Sequence, residues 1–309
     1  MDPKALLVSS LDRNRRIGCE YECVIPQIGT ADPADARRVI AEILTANGIP
    51  AIARAYSHAP LPHGIDIAVE NDSSVRGEAV YHGVRWVAVE VKTRILGGAD
   101  DWERIVPKTL EVLNYLGCRV NASTGHHIHV EVAESRERPE VIRSVVNVFS
   151  RFESVLLGCV APSRRGNLYC DSIDGIAARL ARLKTREEFM QVISGTTRHA
   201  TMNLQNLSSD GPRVEIRMHH GTLDSDKARH WMRLCLTLVS HGCRRTCKRA
   251  PSPLPDNRKG MEKLLVTLGF KPNSKVYRKV EPELRATGRF LLRRWRHFHR
   301  HTGSGPSNV

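Results

Sequence analysis

Apolar and polar residues alternate with period two in short runs along the N-terminal half of the chain, and at helical spacing in its middle and end. The alternating runs predict strands over 17–25, 51–56, 65–70 and 84–91, with a long one over 119–132 interrupted at Thr124-Gly125. Helices are predicted over 34–47, between Asp32-Pro33 and Asn47-Gly48, and over 100–116, closed by Gly117 despite Pro107. Val141, Val145, Val148 and Phe149 form the apolar stripe of a helix over 139–157. A second helix follows over 176–183, and Thr185-Arg186-Glu187-Glu188 reads as a capping box opening a third. Strands return over 203–207 and 213–218. Asp224 then caps a helix ending near Gly242.

Three strand-like pieces place metal-capable side chains two residues apart: Gly18-Cys19-Glu20-Tyr21-Glu22, Gly125-His126-His127-Ile128-His129 and Val214-Glu215-Ile216-Arg217. Residues i and i+2 of a strand share a face. Each piece therefore aims two polar groups at one side of a sheet, and a regular strand turns His126 to the other side. A sheet face this charged is costly unless something charged lies against it.

Composition adds little to that picture until the charge is located. The net charge is +14 over 309 residues, but residues 244–309 hold 17 of the 47 Lys and Arg and 4 of the 33 Asp and Glu. The first 243 residues keep 30 basic and 29 acidic side chains, so the basic character belongs to the tail. That tail starts with a Pro-rich linker over 248–255 and continues through a short helix over 261–268. A basic helix over 283–301 carries Phe290, Leu291, Trp295 and Phe298 among its charges, and 302–309 is expected to be disordered. The expected division is a catalytic domain over 1–247, a linker and short helix over 248–272, and a basic tail over 273–309. A nucleic acid, an acidic partner or a membrane surface would suit the tail. No apolar run is long enough to span a bilayer and no signal peptide is visible, so a cytoplasmic protein is expected. The eight cysteines lack framework spacing and read as free buried thiols. His241, Cys243 and Cys247 have zinc-ligand chemistry but no convincing fourth ligand nearby.

Each polar candidate has a chemical reading and a plain one. Glu20 and Glu22 offer hard oxygens suited to Mg2+ or Mn2+, or they are solvated strand residues. Asp72-Ser73-Ser74 forms a turn able to bind a substrate ammonium or hydroxyl. Glu90, in the apolar run Trp86–Val91, needs a cation or a buried arginine partner. His127 and His129 suit a metal or a nucleotide. Arg164, Arg165 and Arg198 are candidate phosphate forks or surface charges. Glu215 and Arg217 pair a metal ligand with a carboxylate-binding guanidinium, or they form a same-face salt bridge.

In order along the chain, six motifs resemble the amidoligase family. They are a GxExE strand, a DxS turn, an apolar strand ending in Glu90, an NxSxGxHxH strand from Asn121, an RxxxxN segment from Arg198, and an ExRxxxGTLD segment from Glu215. The resemblance covers Ile17 to Asp224 and implies an α+β, glutamine synthetase-like fold, a curved and mainly antiparallel sheet backed by helices. The activity it implies is ATP-dependent joining of a carboxylate to an amine through an acyl phosphate, with ATP and two divalent ions, Mg2+ or Mn2+. Glu20, Glu22, Glu90, His127 and Glu215 would hold the ions. His129 would lie near the nucleotide, and Arg198, with Arg164 or Arg165, would bind phosphate oxygens. Arg217 would meet a substrate carboxylate, and Asp72 with Ser74 a substrate amine. Asn121 and Gly125 would shape the loop beside the metals. Arg198 and Arg217 would be the catalytic charges. The substrates implied are an amine and a carboxylate, free or on a peptide or protein. The chain departs from the family pattern at Lys92-Thr93, Ser73 and His126.

Two other readings exist. Asp72, Glu90 and Lys92 also read D-x17-E-x-K, which resembles the Mg2+-dependent PD-(D/E)xK nucleases and would leave Glu20, Glu22, His127, His129, Glu215 and Arg217 without work. A non-catalytic nucleotide-binding relative of a ligase is the other.

Overall fold

Ten alternating residues, Ile17–Pro26, form β1 in the computed structural model. The structure describes residues 11–27, 33–77, 84–166, 170–173, 175–245, 250, 252–271 and 280–300. Along the chain follow α1 (Pro33–Ala46), β2 (Ala51–Ala53), β3 (Ile67–Glu70), β4 (Trp86–Thr93), α2 (Ala99–Tyr115), β5 (Gly125–Glu131), α3 (Glu140–Leu157), α4 (Ile176–Leu180) and α5 (Arg186–Ser194). The rest are β6 (Met202–Asn203), β7 (Arg213–His220), α6 (Ser225–Cys243), α7 (Arg258–Thr267) and α8 (Pro282–Arg300). The chain divides into two units, one of residues 13–129 and 219–229, the other of 1–12, 130–218 and 230–309.

In the first unit the strands lie in the order β2-β3-β4-β1-β5. β4 is antiparallel to both β1 and β3, and β2 runs parallel to β3. The mainly antiparallel, mixed α and β architecture expected from the sequence is the one observed. Register sets the faces. Val69 is opposite Val91 and Tyr21 is opposite Val91, so these apolar side chains share one side of the sheet. α1 lies against β2 and β3 and buries Ile40 and Leu44 completely. Burying a side chain of that size contributes about 1.5–3 kcal/mol. α2 continues through Pro107, and Gly117 closes it with φ 71, a conformation that side chains with a Cβ rarely adopt.

In the second unit α3 is the central helix. It buries Val141, Val145, Phe149, Phe152 and Leu156, and Phe149, Leu156, Ile216 and Trp231 line one small apolar cavity. β6 pairs antiparallel with β7. The capping box of α5 is formed as predicted, with Thr185 Oγ1 accepting from Glu188 N at 3.3 Å. α8 buries Leu284, Phe290 and Leu291. A Cβ at Gly288 would lie 2.7 Å from the Phe270 carbonyl oxygen, so only glycine allows that approach. Arg294 Nε donates to Cys159 O at 3.0 Å and Trp295 Nε1 to an Asp256 carboxylate oxygen at 2.6 Å.

Three predicted strands are shorter than expected, each cut back where a side chain captures backbone. β2 stops at Ala53, and Tyr56 N donates to Asn71 Oδ1 at 3.1 Å instead of to a strand. The strand expected over 119–132 begins only at Gly125. Before it, Ser123 N donates to Asn121 Oδ1 at 2.9 Å and Thr124 Oγ1 to Asn121 O at 2.8 Å, which folds 121–124 into a turn. The strand expected over 203–207 is a two-residue strand followed by a 3-10 turn, because Asn203 Oδ1 accepts from Gln205 N at 3.0 Å. The seven described cysteines are all buried, Cys19, Cys23, Cys118, Cys159 and Cys170 as free thiols. Cys247 of the zinc candidate and the segment 302–309 lie outside the described residues. Among the described residues no helix is long and apolar enough to cross a membrane.

Candidate active site

Strand register brings three carboxylates into one row. Glu70 of β3 is directly opposite Glu90 of β4, and Glu90 is directly opposite Glu22 of β1. In the next row Lys92 faces Glu20. Like charges directly opposite each other destabilise a sheet, and Glu22, Glu70 and Glu90 are all buried. The neighbours relieve part of this cost. Lys92 Nζ lies 2.7 Å from Glu90 and 3.0 Å from Glu70, with the Tyr56 ring 4.2 Å away. Arg54 Nε is 2.6 Å from Glu70. The partner that Glu90 requires is thus its own strand neighbour, Lys92, and not an arginine.

β5 supplies imidazoles to the same face. His127 reaches Glu20 through Nδ1 at 3.2 Å and Glu22 through Nε2 at 3.4 Å, and His129 Nε2 is 3.1 Å from Glu20. His126 points the other way, as alternation requires. It is stacked on Tyr21 at 4.5 Å, and burial pushes its pKa down to about 3, which keeps it neutral. Burial works to raise the Glu20 pKa, but the charge and hydrogen bonds of His129 and His127 carry it well below the usual carboxylate range. Glu90 moves the other way. Burial first, then the charge of Glu20, holds its pKa well above that range despite Lys92. Ligand atoms of Glu20, Glu90 and His127 lie within 4.8 Å of one another, and so do those of Glu22, Asp72 and Glu90. Carboxylate oxygens with an imidazole form a donor set that fits Mg2+ or Mn2+.

Loops fix the edges of this face. Asp72 Oδ1 accepts from Ser74 N at 2.6 Å and Ser74 Oγ at 2.7 Å, so the two proposed amine-binding side chains hold each other in a closed turn. Asn121 Nδ2 donates to Arg76 O at 2.9 Å, tying that loop to the turn before β5. Gly125 N donates to Glu22 Oε2 at 2.5 Å, and a Cβ there would lie 2.5 Å from His127 Nε2. Only glycine admits both side chains.

The second unit holds the remaining candidates. Glu215 is buried, ion-paired with Arg217, and accepts from Asn203 Nδ2 at 2.8 Å. The same-face salt bridge read from the spacing is present. Arg164 is buried and donates to Arg217 O at 2.7 Å. Arg165 instead donates to Leu157 O and Gly158 O, at the C-terminal end of α3. Arg198 is exposed, with Nε 3.4 Å from His199 Nε2. The structure brings Arg164 beside Arg217 and leaves Arg165 at a helix end.

Glu70, Arg54 and Asn203 were not read as site residues. Glu70 was visible only as the end of a short strand, and its place beside Glu90 depends on a register no local pattern states. Asn203 was visible as the last residue of the RxxxxN motif.

Residues 13–239 match the family model described as "Putative amidoligase enzyme". The chain belongs to the amidoligase family. Among solved structures, one similar chain is that of the complex between prokaryotic ubiquitin-like protein Pup and its ligase PafA. It has a TM-score of 0.48 and 9% identity over 94% of this chain and 66% of that one. A glutamine synthase homolog has a TM-score of 0.43 and 14% identity over 95% of this chain and 68% of that one. The amidoligase chain therefore spans about two thirds of the length of these two proteins. None of the curated proteins compared matches the sequence.

Proposed function

We propose that this amidoligase is an ATP-dependent carboxylate–amine ligase that forms an amide or isopeptide bond and uses two divalent ions, Mg2+ or Mn2+. The observation that supports this reading most is the gathering of Glu20, Glu22, Glu90, Asp72 and His127 on one sheet face, in a chain of an amidoligase family. Phosphoryl transfer from ATP turns an unreactive carboxylate into an acyl phosphate, and attack by an amine then gives the amide, ADP and phosphate. The residues of the chain have positional and electrostatic work. Glu20, Glu22, Glu90 and His127 hold the divalent ions, with Glu215 as a further ligand by family position. His129 orients the nucleotide side of the face. Arg164 and Arg198 bind phosphate oxygens, with Arg164 preferred to Arg165 because Arg164 lies beside Arg217 whereas Arg165 lies at the end of α3. Arg217 takes the substrate carboxylate, and the Asp72–Ser74 turn takes the ammonium of the incoming amine. Asn121 and Gly125 keep the β5 loop in place.

The substrates are an amine and a carboxylate, carried by small molecules or by a peptide or protein. With family membership, the nuclease reading of Asp72, Glu90 and Lys92 loses its ground. The test is ADP release by the full chain with ATP and Mg2+ or Mn2+, against pools of amines and carboxylic acids including peptides. ADP release that needs both an amine and a carboxylate is expected. A folded Glu20→Ala protein that still turns ATP over normally would end this reading.

A further inference from the structure

The exposed side of α8 is a rank of arginines. Arg285, Arg289, Arg293, Arg296 and Arg300 are all exposed, while Leu284, Thr287, Gly288, Phe290 and Leu291 are buried on the other side. The steps of four, four, three and four residues keep all five on one helical face. They extend along about 22 Å at about 1.5 Å per residue. None of the five has an ion pair among the described residues, although acidic groups nearby are paired elsewhere: Glu283 with Arg233 and Asp256 with His299. The helix contains six Arg and no Lys. Guanidinium groups fork onto phosphate oxygens in a way that a lysine ammonium cannot.

We propose that this face of α8 binds the phosphate backbone of duplex DNA without reading its sequence. The structure separates this partner from others. An amphipathic helix binds a membrane by inserting its apolar face, but here that face is packed inside the protein, with Gly288 against Phe270 and Arg294 donating to Cys159 O. Single strands are held largely by exposed aromatic platforms. Trp295 and Phe298 are only half-exposed, and Trp295 is stacked on His299 and bonded to Asp256. A folded acidic protein shows charges of mixed sign on its surface, whereas a backbone offers a continuous row of one sign. A helix of about 10–12 Å diameter is admitted by the B-form major groove, about 12 Å wide, and the A-form major groove is too narrow for it. Contacts of these guanidiniums to phosphate oxygens give affinity rather than specificity.

This binding does not depend on the ligase reading, and its test is separate from ATP turnover. The anisotropy of a labelled 20-base-pair DNA duplex is followed with the full chain between 50 and 200 mM salt. Three to five phosphate contacts predict that affinity falls about 40- to 500-fold over that range, from a slope of about −0.9 per contact. The triple variant Arg289→Glu, Arg293→Glu, Arg296→Glu should bind at least about tenfold more weakly, with a flatter slope and an unchanged thermal melt. The melt control is available because all three side chains are exposed. Absence of binding at 50 mM salt would overturn the proposal, as would a salt-independent affinity or a folded triple variant that binds like the parent. So would tighter binding to duplex RNA, to an acidic peptide, or to phosphatidylserine vesicles than to duplex DNA.

Discussion

The sheet face of β1, β3, β4 and β5 gathers carboxylates together with their own counter-ions, the outer face of α8 gathers arginines alone, and the two differ in what that charge costs. On the sheet, Glu22, Glu70 and Glu90 stand side by side and buried, and each interacts with a neighbour: Lys92, Arg54 or His127. On α8, Arg285, Arg289, Arg293, Arg296 and Arg300 stand in solvent with no ion pair among the described residues. Water screens the second set, so the fold does not depend on a partner for it. The first set has little water, and there burial together with the charge of Glu20 raises the Glu90 pKa. Like charge in solvent costs little without a partner, whereas like charge in a buried row needs a cation beside it, as Lys92 is beside Glu70 and Glu90.

The largest expected effect breaks the buried face directly. Glu20→Ala should lower the rate of ADP release about 100- to 1,000-fold, or about 2.7–4 kcal/mol, by analogy with losing one preorganised charge at a reacting centre. Steady-state turnover with a circular dichroism control measures this. Lys92→Met should have an effect of comparable size, on stability rather than on turnover. It leaves Glu70 and Glu90 opposed without their shared ammonium, which is expected to cost about 3–5 kcal/mol of unfolding free energy in urea. Adding Glu90→Gln to Lys92→Met should return part of that loss.

The pH dependence sharpens the same contrast within one face. The raised pKa of Glu90 means that the folded protein holds that proton more tightly than the unfolded chain. Its protonated form stabilises below the ordinary carboxylate pKa, and this contribution is lost as pH rises toward the folded value. Glu20, with a lowered pKa, contributes above the ordinary value and loses its contribution as pH falls through the folded one. Glu90→Gln should therefore be more favourable relative to the parent at pH 8 than at pH 5, whereas Glu20→Gln should cost less at about pH 3 than at about pH 5. Urea melts decide; equal differences at pH 5 and pH 8 for Glu90→Gln, or at about pH 3 and about pH 5 for Glu20→Gln, would contradict these assignments. Thr185→Ala, which removes the α5 capping box, should cost about 1 kcal/mol. Arg289→Glu on α8 should change stability by under about 0.5 kcal/mol.

Local sequence made one part of this face legible and concealed another. The i, i+2 spacing was enough to put Glu20 with Glu22 and His127 with His129, and to turn His126 to the core. It could not show that Glu70 stands opposite Glu90, because strand register is a pairing between segments and β3 has only four residues. Lys92 was visible as a departure from the family pattern, but its role as counter-ion to two carboxylates emerges only from that register. The strand ends at 53, 125 and 203 were misplaced for one reason. Asn71, Asn121 and Asn203 each capture a backbone N–H, and an asparagine that captures backbone looks in sequence like one that does not. The basic tail read as a charged helix with some apolar residues, and only the packing of Leu284, Gly288 and Leu291 separates its buried side from its arginine side.

The central claim is that the carboxylate row with His127 is a divalent-cation site. Mn2+ binding followed by electron paramagnetic resonance on the full chain tests it without need of a substrate. Saturable binding in the parent protein, weakened at least about 100-fold in a folded Glu20→Ala variant, is the predicted result, in line with loss of a direct ligand being at least as costly as loss of an outer-shell partner. Absence of saturable Mn2+ binding, or equal binding by parent and variant, would contradict the account.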